Sequence, residues 1–205
     1  MAPAALSGTL PVMESFYTLQ GEGFHTGRAA FFVRLGGCDV GCVWCDVKES
    51  WPAEAHPVVA VTELVEKAQS FPARLAVITG GEPLMHNLEP LTAGLKQAGF
   101  ETNLETSGAY PLSGRWDWIC VSPKKFKEPL PGVLAAADEL KGVVYHKSDL
   151  DWLGSFLPQL KPECRLFLQP EWSRAEDLQD LLVDFIKANP RWRMSLQTHK
   201  FLHIE

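Results

Sequence analysis

The sequence predicts an α/β protein folded as an open, incomplete (β/α) barrel with about six or seven core strands. Two regularities carry that expectation. Short apolar runs alternate with stretches of helical spacing, and a polar motif follows the end of nearly every run, as in parallel sheets whose ligands sit at the strand C-termini. A third observation limits the count. Helical signal is weak between Ser107 and Trp116 and between Pro123 and Glu139, so a complete eightfold barrel does not fit.

Taken in order, residues 1–10 carry no periodic pattern and read as a loose lead-in. Pro11 to Leu19 alternates as an extended strand and runs into Gln20-Gly21-Glu22-Gly23, where an ordinary hairpin turn and a ligand loop are both open readings. Ala29 to Leu35 is a buried strand interrupted by Arg34. Pro52 to Val61 is loop-like, Thr62 to Ser70 is a helix with Thr62 as N-cap, and Leu75 to Ile78 is a strand ending in Thr79-Gly80-Gly81-Glu82-Pro83. Leu88 to Ala98 is a helix closed by Gly99. The strand Phe100 to Leu104 leads into Glu105-Thr106-Ser107-Gly108, and the strand Trp116 to Val121 into Ser122-Pro123-Lys124. Glu139 to Tyr145 is a strand, Leu150 to Leu157 a short helix, and Arg165 to Leu168 a strand ending at Gln169-Pro170. Ser173 caps a helix running to about Ala188, and Met194 to Leu196 leads into Gln197-Thr198-His199-Lys200.

A chain of 205 residues, 46% of them hydrophobic, can bury about 70% of its unfolded surface. One domain spanning residues 1–205 is therefore expected. A net charge of −6 without any Lys/Arg block argues against nucleic acid as the main partner and for a small molecule. No apolar run is long enough to span a bilayer. Five cysteines, three of them clustered, make a poor disulfide framework, and no signal-peptide pattern opens the sequence, so a reducing cytoplasm is the expected compartment.

The chemistry concentrates in the loop Cys38-Asp-Val-Gly-Cys42-Val-Trp-Cys45-Asp46. Three thiols so close together converge easily on a metal centre. A structural zinc site would want a fourth ligand, and no second Cys or His pair stands at short spacing. Cys120 and Cys164 sit alone in apolar runs, the usual setting of a small buried hydrophobe. Three ligands without a fourth suit a cubane iron–sulfur cluster with one open iron. Arg34, four residues before the loop, is either a structural ion pair or a partner for a carboxylate-bearing substrate.

The cysteine spacing, with Trp44 before the third cysteine, resembles the signature of the radical S-adenosylmethionine enzymes. Leu19-Gln20-Gly21-Glu22-Gly23, Phe32-Val33-Arg34-Leu35, Cys45-Asp46, Thr79-Gly80-Gly81-Glu82-Pro83, Glu105-Thr106-Ser107-Gly108, Ser122-Pro123-Lys124, Gln169-Pro170 and Gln197-Thr198-His199-Lys200 follow in an order that resembles the 7-carboxy-7-deazaguanine synthase family. The resemblance runs from about Pro11 to the end. It implies a ring contraction of 6-carboxy-5,6,7,8-tetrahydropterin to 7-carboxy-7-deazaguanine with loss of ammonia, in queuosine and deazapurine biosynthesis. It also implies a [4Fe-4S] cluster, S-adenosylmethionine, magnesium, an external electron donor and, by family analogy, a homodimer.

Carried over, Cys38, Cys42 and Cys45 would ligate the cluster, with Trp44 and Asp46 beside the adenine end of the cofactor. Gly80, Gly81, Glu82, Ser122, Pro123, Lys124, Gln169 and Pro170 would hold the rest of S-adenosylmethionine. Leu19, Gln20, Gly21, Arg34, Thr79, Glu105, His199 and Glu205 would surround the pterin, Arg34 pairing with its carboxylate. Two positions depart from the family pattern. Glu205 stands where members often end in proline, and Val47 where they commonly place a magnesium-binding threonine, which leaves Asp46, Glu49 or Ser50 to help hold that ion. A glycyl-radical activase would share the cluster motifs but would have no reason to carry Gln20-Gly21-Glu22-Gly23, Arg34 and the histidine-bearing C-terminus. A zinc-binding interaction module is the rival from another class, separable by iron and sulfide content.

Overall fold

The computed structural model describes residues 7–205. One nine-stranded sheet organises them: β1 (Thr9–Leu19), β2 (Ala29–Leu35), β3 (Val58–Ala60), β4 (Leu75–Gly80), β5 (Glu101–Thr106), β6 (Trp118–Val121), β7 (Glu139–Val144), β8 (Arg165–Pro170) and β9 (Trp192–Met194). The spatial order is β3-β1-β2-β4-β5-β6-β7-β8-β9, and the sheet does not close on itself. From β2 to β9 neighbours are parallel; β1 is antiparallel to β2 and to β3. The seven parallel strands are the expected core, with two antiparallel strands added at one edge.

Six helices join them: α1 (Val61–Gln69), α2 (Glu89–Gln97), α3 (Pro131–Ala136), α4 (Ser148–Gly154), α5 (Ala175–Ala188) and α6 (Thr198–Leu202). In α1 the buried residues are Val61, Leu64, Val65 and Ala68, the one-faced spacing of an amphipathic helix. Alternation along the strands sends one set of side chains to these helices and the other inward. In β2, Phe31, Val33 and Leu35 join the main core with Ile78 of β4 and Leu104 of β5, while Ala30 and Phe32 form a smaller inner cluster with Leu75 and Val77. Arg34 shares that inner face.

Several expectations are corrected. Thr9 and Leu10 belong to β1 and pair with Ala60 and Val59 of β3, a short strand inside the segment expected to be loop. The remainder of the expected lead-in lies largely outside the described residues. Thr62 is not an N-cap: Ala60 holds that position, and no side chain caps α1. Ser173 lies in a single 3-10 turn, Trp172–Arg174, capped by Glu171, and α5 starts after it. The stretch from Pro123 to Glu139 contains the six-residue helix α3, started by Pro131.

Candidate active site

At the C-terminal ends of the parallel strands lies a cavity of about 640 Å³. The cysteine loop forms one wall, with Cys38, Cys42, Trp44, Cys45, Asp46 and Val47 all on the cavity. Leu19, Gln20 and Gly21 reach it from the loop after β1, Arg34 from β2, Thr79, Gly80 and Gly81 from the end of β4, and Glu105 from β5. Ser122 and Lys124 follow β6, Gln169 and Pro170 end β8, and His199 and Glu205 come from the C-terminal segment. Two expected residues stand elsewhere. Pro123 lines an adjoining cavity of about 540 Å³ whose wall includes Trp44, Tyr145 and Trp152.

Glu82 is the other. It is buried, and its carboxylate accepts from Leu84 N–H at 3.0 Å, the Thr106 hydroxyl at 2.5 Å, Ser107 N–H at 2.8 Å and the Ser107 hydroxyl at 2.5 Å. Four donors occupy its lone pairs, so the ammonium contact expected of it is already replaced. Its work is to tie the turn after β4 to the turn after β5. The glycines before it have a similarly internal reason. A Cβ on Gly81 would stand 2.4 Å from the Gly37 carbonyl oxygen and 2.8 Å from Cys38 Cβ, so only glycine lets this turn pack on the cysteine loop.

All three loop thiols are free and lie at the cavity wall. Burial pushes the Cys38 thiol up, and pushes Cys42 up to about 11 against the pull of nearby Lys124. Soft metal ions that displace those protons would relieve the penalty. Among the described residues no three His, Cys, Asp or Glu side chains converge on one point, as a single-ion site requires. A cubane takes each thiolate at a different corner and leaves one iron open, which suits three cysteines without a fourth ligand. The loop is tethered from both sides. Asp39 accepts from Tyr110 (2.5 Å) and Lys127 (2.8 Å), and Asp46 from Lys200 (3.0 Å). Cys120 and Cys164 are buried in β6 and just before β8, off the cavity.

Opposite the loop is a charged wall. Arg34 Nε pairs with Glu14 at 2.6 Å, a partner that the sequence alone did not reveal. Lys141 of β7, 5% exposed and missing from the sequence expectations, donates to Glu22 at 2.6 Å and Glu105 at 2.9 Å. Gln197 donates to the other Glu22 oxygen at 2.9 Å and Gln20 to the other Glu105 oxygen at 3.2 Å. Burial would raise the Glu22 carboxyl, but Lys141 and these hydrogen bonds bring it down to about 2. Burial likewise opposes the Lys141 ammonium, yet its acidic surroundings raise it well above the usual lysine range. Cys120 contributes little there, since burial pushes its own thiol well up and keeps it neutral. The signal for Lys141 was a lone cation inside the strand Glu139–Val144, the same signal that singled out Arg34.

Helix α6 closes the pocket. Thr198 donates its N–H (2.9 Å) and hydroxyl (3.0 Å) to the Gly21 carbonyl, which seats His199 against Gly21. Burial lowers the His199 pKa, so the ring enters the pocket with a bias toward its neutral form.

The family model described as Radical SAM superfamily matches residues 32–122, the stretch containing the cysteine loop and the glycine turn. The chain is 50% identical over 195 residues to a 7-carboxy-7-deazaguanine synthase of Flavobacterium psychrophilum, covering 95% of this chain and 92% of that protein. It is 47% identical to the 7-carboxy-7-deazaguanine synthase of a Synechocystis species, covering 97% and 95%. The crystal structure of QueE from Escherichia coli superposes with a TM-score of 0.83 at 34% identity, covering 92% of this chain and 93% of that one. With three cluster-competent thiols on the cavity and such similarity along nearly its whole length, the chain belongs to the 7-carboxy-7-deazaguanine synthase family of radical S-adenosylmethionine enzymes.

Proposed function

We propose that this protein contracts the ring of 6-carboxy-5,6,7,8-tetrahydropterin to 7-carboxy-7-deazaguanine with release of ammonia, as a carbon–nitrogen lyase of deazapurine biosynthesis. The observation that carries this reading is one cavity shared by three cluster-competent thiols and a wall of fixed charges suited to a polar heterocycle. When bound at Cys38, Cys42 and Cys45 and at the residues named below, the cluster and S-adenosylmethionine would supply one-electron radical chemistry directed at C6 of the pterin. The protein's part is position and exclusion of water.

In this reading Cys38, Cys42 and Cys45 hold the cluster. Trp44, Asp46, Gly80, Gly81, Ser122, Lys124, Gln169 and Pro170 surround S-adenosylmethionine, and the adjoining cavity, with Pro123 and Trp44 on its wall, receives the adenine end. Glu82 acts through the glycine turn that it braces. Leu19, Gln20 and Gly21 meet the pterin edge, Thr79 and Glu105 add polar contacts, and His199 and Glu205 cover it. Arg34 offers its terminal nitrogens to the substrate carboxylate while Nε stays with Glu14; among the described residues Nε makes its only side-chain hydrogen bond.

Magnesium, on the same reading, is held by Asp46, water and substrate oxygens. Ser50 is buried with its hydroxyl on the Val47 carbonyl at 2.7 Å, and Glu49 does not reach the cavity, whereas Val47 does and offers no side-chain oxygen. An external one-electron donor and a homodimeric state complete the proposal by family analogy. Five free thiols and an oxygen-sensitive cluster suit a reducing cytoplasm, and among the described residues no helix is long and apolar enough to cross a membrane. A single sheet containing every described strand supports one domain for residues 1–205. The test is anaerobic turnover with the carboxy-tetrahydropterin, S-adenosylmethionine and a reductant, read by mass spectrometry. Formation of carboxy-deazaguanine without net loss of S-adenosylmethionine supports the reading, and 5′-deoxyadenosine as the sole new species overturns it.

A further inference from the structure

We propose that Lys141 is a specificity-determining positioning residue, which holds Glu22 and Glu105 side by side as an acceptor-only wall and thereby selects a heterocycle presenting adjacent N–H donors, such as a 2-amino-4-oxo-pyrimidine edge, over its 2-oxo counterpart. The inference rests on the pterin reading above and goes further by naming what reads the ring edge and what arms it. Lys141 is a buried cation in the strand floor of the cavity, and both of its acidic partners line that cavity.

The argument is one of lone pairs. An ionised carboxylate has about four acceptor sites. Glu22 uses one on Lys141 and one on Gln197; Glu105 uses one on Lys141 and one on Gln20. Two remain on each, and none of them can donate. A ligand edge offering an amino group and a ring N–H satisfies such a wall. An edge offering a carbonyl oxygen sets lone pair against lone pair, and the half-buried acceptors lose their water without recompense.

Lys141 is what keeps the pair in that state. Two carboxylates sharing one site do not both ionise without a cation between them. The third acidic neighbour does not compete for its charge. Glu139, two residues earlier on β7 and on the same face, accepts at Oε2 from Phe24 N–H at 3.2 Å and Trp118 Nε1–H at 3.1 Å and has no ion-pair partner among the described residues. Lys141 Nζ is thus committed to the two groups above it. Gln would preserve donors at this position without charge; Met would preserve only the length of the stem.

The experiment compares anaerobic equilibrium binding of 6-carboxy-tetrahydropterin and of the corresponding 2-oxo tetrahydrolumazine to cluster-loaded protein saturated with S-adenosylmethionine. The wild type should prefer the 2-amino ligand by about 10- to 100-fold. In Lys141→Gln that preference should shrink by about 10-fold, with iron content and S-adenosylmethionine affinity unchanged. Lys141→Met should shrink it further if it folds, and the Gln variant carries the test if it does not. A purely structural role would weaken both ligands equally and leave the ratio intact, which overturns the inference. So does a wild type that binds both ligands alike. A wild type that binds neither overturns the pterin reading itself, and the inference with it.

Discussion

Replacing Gly21 by alanine should unseat His199 and open the pocket while leaving the three cysteine ligands in place. A Cβ at position 21 would lie 2.2 Å from His199 Nδ1, 2.8 Å from Cγ and 2.9 Å from Cβ. Reaching an ordinary contact of about 3.5 Å requires the ring to retreat by about 1.3 Å. The retreat strains the two hydrogen bonds that Thr198 gives to the Gly21 carbonyl, each contributing about 0.5–1.5 kcal/mol. Overpacking of this kind costs about 1–3 kcal/mol, and α6, five residues long, yields more cheaply than the sheet. A displacement of about 1 Å at a positioning group can cost about 100-fold in rate, so pterin affinity should fall at least about 10-fold and turnover further. Iron content should stay at the wild-type value, and S-adenosylmethionine binding, which α6 touches among the described residues only through Lys200 and Asp46, should weaken less than pterin binding. Hydrogen–deuterium exchange should show residues 195–205 losing protection. Unchanged protection together with unchanged pterin affinity would refute the packing argument, because the added methyl group would then have found room that the structure does not give it.

Alanine at Cys38, Cys42 or Cys45 should abolish cluster assembly, whereas alanine at Cys120 or Cys164 should leave iron per chain unchanged; iron and sulfide assays after reconstitution decide. Arg34→Lys keeps the charge but loses the fork, so calorimetry should show pterin affinity about 10-fold weaker with S-adenosylmethionine affinity intact. Glu139 is pushed up to about 7 from 4.5, mainly by burial. A raised carboxyl gives stability that is full below about pH 4.5 and is lost as pH climbs through about 7, worth about 3 kcal/mol. Denaturation should therefore show wild type losing stability relative to Glu139→Gln as pH rises from about 4.5 to about 7, and parallel profiles would count against it. Val47→Thr adds a hydroxyl on the cavity, so turnover of metal-stripped protein should respond to magnesium at lower concentration than wild type; coincident curves would mean that position 47 is not a ligand.

The sheet was legible because its physics is local. A strand buried on both faces must be almost wholly apolar, and Ala29–Leu35, broken only by Arg34 and recognised at its full length, is such a strand. What was illegible depended on partners far along the chain. β3 has three residues and exists because β1 extends past Pro11 to meet it, a pairing without any periodic trace. Glu82 looked like a ligand carboxylate because it follows two glycines. Apart from Leu84 N–H, its partners are Thr106 and Ser107, 24 and 25 residues away, and no spacing rule joins them. Arg34 was visible as a cation out of place, but Glu14 lies on a neighbouring strand whose register has a bulge between Val12 and Glu14.

Lys141 shows why the charged wall in particular escaped notice. In a closed eightfold barrel the inner face is filled with branched apolar side chains, and a lysine there would have no room to keep its partners. This sheet stays open, and its inward positions can be polar. On β5 the alternation places Glu101, Asn103 and Glu105 on one face; on β7 it places Glu139, Lys141 and Val143 there. Four acidic or basic groups, Glu22, Glu105, Glu139 and Lys141, thus share the inside of the sheet. Below about pH 7, where Glu139 keeps its proton, their charges reduce to one ammonium between two carboxylates. That arrangement leaves the acidic part of the charged wall with one negative charge in excess, and the same wall carries Arg34, whose guanidinium is half committed to Glu14. A ligand that brings N–H donors to one end and a carboxylate to the other completes both parts of the wall at once, and a ligand with either end altered leaves a buried charge unmatched.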